Sequence, residues 1–274
     1  MVYSPLSLQL DSRTAPFPRA KHVIDASGGV NQHWARIRRS EQRFSKLLRG
    51  IARQAGQFIT QLYEAGREDA IEATLQNYAN ILKPWATVVS ENMLADIAQK
   101  DEQAWTRHSK RLAGALRAEL KNAPMGGVVA ALRNEQVDLI TSIPIQAAQR
   151  AQDLAFEAAS QSGKRAKEIA EQILESEEIA ESRAVLIART EIARSQAIIQ
   201  EARAVWIGSE SYIWNTVRDP QVRADHKELH GQTFRWDSPP IADKKAGRRA
   251  HPGCIYNCRC FAEPILPEKY QPKR

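Results

Sequence analysis

Potential metal ligands are concentrated near the carboxyl end of the chain. All three cysteines and three of the six histidines fall between residues 226 and 260. They are His226, His230, His251, Cys254, Cys258 and Cys260. Imidazole and thiolate groups at short spacing are the ligands from which proteins build tetrahedral zinc sites. The residue types in this stretch therefore favour a structural zinc site.

Helical spacing indicates which of these ligands would meet. His226 and His230 are four residues apart, so on a helix they would share one face. Cys258 and Cys260 would close the site from a later segment. His251 or Cys254 could serve as alternative ligands. The spacing lacks the Cys-x-x-Cys pair of a standard finger, so the alternative is two structural thiols beside surface imidazoles.

The cysteines are poorly arranged for disulfides. Their number is odd, and all three lie within seven positions. Cys258 and Cys260 are too close in sequence to be bridged without strain. We therefore expect reduced thiols, or thiolates that bind a metal.

The same residues have two enzymatic interpretations. The run from His226 to His230 resembles the zinc-protease motif His-Glu-x-x-His, but Glu228 comes one residue late. On a helix this turns the carboxylate about 100° from the general-base position. A metal-dependent hydrolase or nuclease that uses the histidines with Asp219 or Asp225 stays open. The sequence has neither a Gly-rich phosphate loop nor a Gly-x-Ser-x-Gly elbow.

A basic helix is predicted near the other end. From residue 32 to residue 62, apolar residues recur at steps of three and four, which indicates an amphipathic helix. Six cations follow the same steps on a largely separate face: Arg36, Arg39, Arg43, Lys46, Arg49 and Arg53. This face is suited to an acidic partner or to DNA, and a solvated surface is the simpler alternative.

The chain divides by composition into three parts. Residues 1–30 are predicted to be an N-terminal arm, 31–178 an α-helical region and 179–274 a compact module. Pro84, Pro124 and Pro144 are predicted to separate helices, because proline removes a backbone donor. After Gly208 the pattern indicates strands at 212–217, 232–236 and 261–265, and a short helix at 225–229. The predicted fold class is a mainly α-helical N-terminal region followed by a small α+β C-terminal module.

Charge and hydropathy narrow the classes of partner. The net charge of +7 comes from the ends, with +7 over residues 1–60, −4 over 61–205 and +4 over 206–274. No apolar run approaches the roughly 20 residues of a membrane helix, so no membrane partner is expected. The first residues lack the features of a secretory signal, so we expect assembly in the cytoplasm.

The region from Arg189 onward resembles the Mu F-like head morphogenesis proteins of tailed phages. Its matching pieces stand in the family's order: Ala188-Arg189-Thr190-Glu191, Trp206-Ile207-Gly208, Trp214, Asp219-x-x-x-Arg223-x-x-His226, Leu229-x-Gly231, Pro252-Gly253 and Asn257-Cys258-Arg259-Cys260. Two positions depart from the pattern. His230 stands where the family commonly has Asp, and Cys254 lies outside it. His226, Cys258 and Cys260 are the ligand positions that match.

The resemblance implies a structural role in the virion. Such proteins are minor capsid components of the phage head, associated with the portal vertex inside the procapsid, and they act in head assembly, DNA packaging or DNA delivery. The expected partners are the portal protein, the major capsid or scaffold proteins, and packaged DNA without sequence preference. The alternative is a metal-dependent hydrolase, nuclease or toxin-like effector carried in the virion. A free DNA-binding regulator lacks support, since no helix-turn-helix pattern is present.

Overall fold

The fold class predicted from the sequence is confirmed: long helices precede a small module of short antiparallel strands and one short helix. The computed structural model describes residues 30–109, 114–160, 168, 171–173 and 175–270. The predicted arm, apart from residue 30, lies outside the described residues, as does the side chain of Arg36. The helices are α1 Val30–Glu64, α2 Ile71–Ser109, α3 Gly114–Lys121, α4 Gly126–Ser160, α5 Ser176–Trp206 and α6 Ala224–Leu229, with 3-10 turns at Glu68–Ala70 and Glu268–Tyr270. The strands are β1 Ser211–Asn215, β2 Thr233–Arg235, β3 Ile241–Asp243, β4 Arg248–Arg249 and β5 Phe261–Pro264.

The four long helices bury one shared apolar core. Helix α1 packs mainly on α5, and α2 packs mainly on α4. The apolar residues of α1 recur at helical steps, which places Phe44, Leu48 and Ile51 on its buried face. They meet Leu94 of α2 and Ile192 of α5 in the same cluster. Burial of this face, more than helix propensity, stabilises helices of such length.

Two of the three predicted helix breaks are wrong. Pro84 lies inside α2 and Pro144 lies inside α4, whereas Pro124 does lie between α3 and α4. A proline inside a helix removes one backbone hydrogen bond. Here buried neighbours follow or precede each proline, such as Ala86 and Ile143. Tertiary packing on both sides therefore holds each helix together across its proline.

The C-terminal module is built on a three-stranded antiparallel sheet in the order β2-β1-β5. Its strands coincide with the three strands predicted from the sequence. The central strand β1 alternates in burial, and Tyr212 and Trp214 on one face are fully buried. A second hairpin, β3–β4, lies in a stretch that the sequence predicts as loop. A hydrogen bond holds this hairpin against α6: the backbone amide of Lys244 donates to the carboxylate of Asp225 at 3.0 Å.

Helix α5 belongs to both cores. Residues from Ala184 to Ile199 contribute to the helical core, and the end of the helix contributes Ala204 to the core of the module. Near that end, Arg203 donates to Asp101 of α2 at 2.7 Å, with both side chains almost fully buried. Helix α5 thereby connects the helical region to the module.

Candidate metal centre

The short helix α6 places His226 in the core of the module. The His226 ring packs edge-on against Trp214 of β1, with ring centroids 5.4 Å apart. The helix ends at Leu229, because Gly231 adopts φ +78 and its amide donates to the carbonyl of Trp214 at 2.8 Å. His230 therefore lies beyond the helix, and the prediction from the four-residue spacing that it shares a helical face with His226 is wrong.

The cysteines are held by a loop that lies on α5. Gly253 adopts φ +91, and a Cβ at this position would lie 3.1 Å from the Ala193 carbonyl oxygen. The backbone amide of Asn257 donates to the hydroxyl of Thr190 at 3.3 Å. Cys260 comes directly before β5, so its backbone is anchored by the sheet. The loop is thus fixed on one side by α5 and on the other by β5.

These elements bring one imidazole and two thiols together. The Nδ1 atom of His226 lies 3.6 Å from the Sγ of Cys258 and 3.5 Å from the Sγ of Cys260. The three ligand atoms all lie within 4.8 Å of one another. Their residues are 2%, 3% and 7% exposed, respectively. Among the described residues this is the group of histidine, cysteine or acidic side chains that is arranged to hold a metal.

Hydrogen bonds distinguish the two thiols. Hydrogen bonding with the neighbouring Cys260 thiol, together with His226, holds the pKa of Cys258 well below its ordinary value despite burial. The same bond and burial raise the pKa of Cys260. The backbone amide of Gly253 also lies 3.4 Å from the Sγ of Cys258. Cys258 is therefore the sulfur at which negative charge is stabilised, as a thiolate ligand requires.

The other three predicted ligands lie apart from this group. His230 faces the backbone amide of Thr216 and the guanidinium of Arg218, each at 3.2 Å, and a neutral ring accepts only one of these bonds. The Nδ1 atom of His251 lies 3.0 Å from the hydroxyl of Tyr212. Burial lowers the pKa of His251 to about 4, so its ring is neutral near pH 7. Burial raises the pKa of Cys254 to about 12.

The family motif residues on α5 point in different directions. Arg189 donates to Glu41 of α1 at 3.0 Å and to the side chain of Asn257 at 3.1 Å. Glu191 is buried and accepts hydrogen bonds from Gln136 and Arg194. Burial raises the pKa of Glu191, although its cationic and amide partners oppose this effect. The two side chains serve separate helix contacts, in agreement with their positions on the helix.

The motif residues before α6 bond to the cysteine loop. The four-residue spacing of Asp219 and Arg223 would allow an ion pair on a helix, but the carboxylate of Asp219 pairs with Arg259 at 2.5 Å. Arg223 instead donates to the carbonyl of Tyr256 at 2.7 Å. Both bonds tie the segment before His226 to the cysteine loop, which starts at the buried Pro252. A spacing of four pairs residues only within one helix, and Asp219 lies outside α6.

The predicted basic face of α1 is partly neutralised within the chain. Arg43 pairs with Asp96 of α2 at 2.8 Å, and Arg49 and Arg53 both pair with Glu181 of α5 at 2.7 Å. Arg39 and Lys46 are exposed, and among the described residues no acidic group lies within ion-pair distance of them. Ion pairs within the chain thus engage Arg43, Arg49 and Arg53, although all three side chains are also exposed.

The contacts that enclose the candidate centre could not be predicted from the sequence. The contact of Trp214 with His226 joins β1 to α6, and the contact of Asn257 with Thr190 joins residues 67 positions apart. No local pattern signals such pairs. The β3–β4 hairpin did carry a signal, because Asp243 and Gly247 flank its turn and Gly247 has φ +61.

Comparisons with known proteins bear on the region that carries this geometry. Residues 153–263 match the family described as Phage Mu protein F like protein. A Haemophilus influenzae protein described as an uncharacterized protein is 34% identical over 157 residues, which is 57% of this chain. The alignment spans 34% of that protein, so the chain accounts for about a third of its length. No solved structure matches the chain.

The matched range begins near the end of α4 and closes within β5, so it includes α5, α6 and β1. It contains His226, Cys258 and Cys260 together with the motif residues around them. The resemblance to Mu F-like head morphogenesis proteins that the sequence indicates is therefore confirmed for residues 153–263.

Proposed function

We propose that this protein is a minor head protein of a tailed phage or prophage, associated with the portal vertex and inner shell. It acts in procapsid assembly, DNA packaging or DNA delivery, in the host cytoplasm during assembly and then in the virion. The observation that carries the proposal is the family match over residues 153–263. The joined architecture supports it, since α5 connects the matched module to a long helical region that offers a separate surface.

The helical region has an apolar face suited to a protein partner. Ile81, Trp85 and Val88 lie at helical spacing on α2 and are 68%, 36% and 54% exposed. Exposed apolar side chains that are grouped in this way are typical of protein–protein interfaces. We assign this face to the portal protein, because the resemblance implies that such proteins associate with the portal vertex. Among the described residues, no helix is long and apolar enough to cross a membrane.

The test is copurification with the portal protein of the same phage. Co-expressed wild-type chain should copurify with the portal protein at moderate salt, and replacement of Ile81 and Trp85 by Ser should weaken this at least tenfold. Phe156→Ser is the matched control, because Phe156 on α4 is 80% exposed and stands apart from this face. Failure of the wild-type pair to copurify, or equal loss in the control, would contradict the assignment.

Any contact with packaged DNA would use the exposed cations of α1. Phosphate contacts are blind to sequence and weaken steeply with salt. Replacement of Arg39 and Lys46 by Gln should therefore lower both the affinity for random duplex DNA and its salt dependence. Arg49→Gln should affect stability more than DNA binding, because Arg49 is occupied by Glu181.

A metal-dependent hydrolase is the second candidate, and one observation favours it. The centre offers three protein ligands, the number that catalytic zinc sites use. A catalytic metal must also meet its substrate, whereas all three ligands here are buried. The discriminating assay is nuclease activity of zinc-loaded protein with His226→Ala as control. Activity that is lost in this variant would favour the enzyme over the assembly protein.

A further inference from the structure

We propose that His226, Cys258 and Cys260 bind one zinc ion through Nδ1 and the two sulfurs, with a non-protein ligand such as water completing the tetrahedron, as a buried structural site that fixes the cysteine loop on α5. The inference is independent of the proposed role in head assembly. It rests on the distances between the ligand atoms, on their burial and on the position of the loop.

The distances fit a tetrahedral metal. Zinc–sulfur bonds of about 2.3 Å and zinc–nitrogen bonds of about 2.0 Å at the tetrahedral angle place sulfur and nitrogen about 3.5 Å apart. The measured separations from His226 Nδ1 are 3.6 Å to Cys258 and 3.5 Å to Cys260. Both nitrogen–sulfur separations thus already match those that one shared ion would impose, and all three ligand atoms lie within 4.8 Å of one another.

The donor set fits zinc better than the harder cations. Thiolates with an imidazole select zinc among the common divalent ions, whereas magnesium and calcium prefer oxygen ligands. With Nδ1 as the ligand atom, the ring proton resides on Nε2, which is buried with no hydrogen-bond partner among the described residues. Nδ1, in contrast, faces both sulfurs. The ring is therefore oriented for the thiols and not for a hydrogen bond on its other side.

A zinc ion at this site would link elements that are distant in sequence. The ion would join α6 to the loop that ends at Cys260, and the loop contacts α5 through Gly253 and Asn257. The amide of Gly253 close to the Sγ of Cys258 supplies the supporting contact that metal-bound thiolates commonly receive. In a module with a small core, such a site contributes directly to folding.

The first experiment counts the metal and its thiolates in wild-type protein purified under reducing conditions. Elemental analysis should give one zinc per chain. Replacement of zinc by cobalt should give the visible bands of a tetrahedral ion and a near-ultraviolet sulfur-to-cobalt band with the intensity of two thiolates. Protein that takes up no zinc when zinc is supplied, or a spectrum of six-coordinate cobalt, would overturn the proposal.

The second experiment assigns the ligands. Cys258→Ser, Cys260→Ser and His226→Asn should each lower cobalt affinity at least tenfold, and each cysteine variant should halve the sulfur-to-cobalt band. Cys254→Ser is the matched control and should leave affinity and spectrum unchanged. Equal loss in the control, or a wild-type intensity of three thiolates, would refute the assignment. The wild-type spectrum keeps the test decisive if a variant fails to fold.

The third measurement tests the structural role. Removal of zinc by a chelator should accelerate amide hydrogen exchange in residues 251–260 and in α6, while the buried part of α1 stays protected. Return of zinc should restore protection. Unchanged exchange in the loop would show that the ion does not hold it.

Discussion

Gly253 is the position where a single methyl group should test the docking of the cysteine loop most directly. Alanine at φ +91 is strained, since L residues in this region cost about 1–2 kcal/mol. The added Cβ would also lie 3.1 Å from both the Ala193 carbonyl oxygen and the Cβ of Ala197. Overpacking of this kind costs about 1–3 kcal/mol.

A compensating effect comes from the unfolded chain. Replacement of glycine by alanine restricts the unfolded state and thereby raises the free energy of unfolding by about 0.4–1 kcal/mol. Gly253→Ala should therefore lower the free energy of unfolding by about 3 kcal/mol, from the middle of each of these ranges. Gly247→Ala is the matched control, because Gly247 has φ +61 but no atom within 4 Å of an added Cβ. Its cost should stay near 1 kcal/mol or below.

Urea unfolding followed by circular dichroism gives the comparison between the two variants. The difference between them isolates the contact with α5, since both carry backbone strain. If zinc binds as proposed, Gly253→Ala should also weaken its binding, because the amide of Gly253 lies beside the Sγ of Cys258. If the two variants lose equal stability, the loop does not press on α5 as described, and the reasoning is refuted.

Three further predictions concern the helices. Burial raises the pKa of Asp96, but Lys100 and neighbouring donors lower it overall. Asp96→Asn should therefore lower the free energy of unfolding at pH 7, and this loss should vanish in unfolding curves measured below pH ~4. A loss independent of pH would contradict this. Pro84→Ala restores a backbone donor inside α2 and should raise unfolding free energy by about 1–2 kcal/mol in urea; no gain would mean that the helix has adapted to proline. Arg203→Met leaves Asp101 buried without its cation and should cost about 3–5 kcal/mol. Burial raises the pKa of Asp101 to about 6 even in the pair, so this cost should be smaller at pH 5 than at pH 8, and a larger cost at pH 5 would refute the argument.

The fold class, the strands of the main sheet and the resemblance of residues 153–263 to Mu F-like proteins could all be predicted from the sequence. Periodicity of three and four marks a helix wherever one face is buried, and β1 shows its alternation in Tyr212 and Trp214. The concentration of imidazoles and thiols was likewise visible, because ligand chemistry is a property of residue types. Local patterns carry this information without any knowledge of distant contacts.

Which of the six candidate ligands come together depends on tertiary contacts. His226 meets Cys258 and Cys260 because α6 ends before His230 and because the loop is anchored on α5 through Asn257. Because of tertiary packing, α2 and α4 also continue past Pro84 and Pro144, although proline tends to end a helix. Each of these outcomes depends on the burial of side chains from sequence-distant elements, and the free energy of such burial is set by neighbours that no local window of sequence contains.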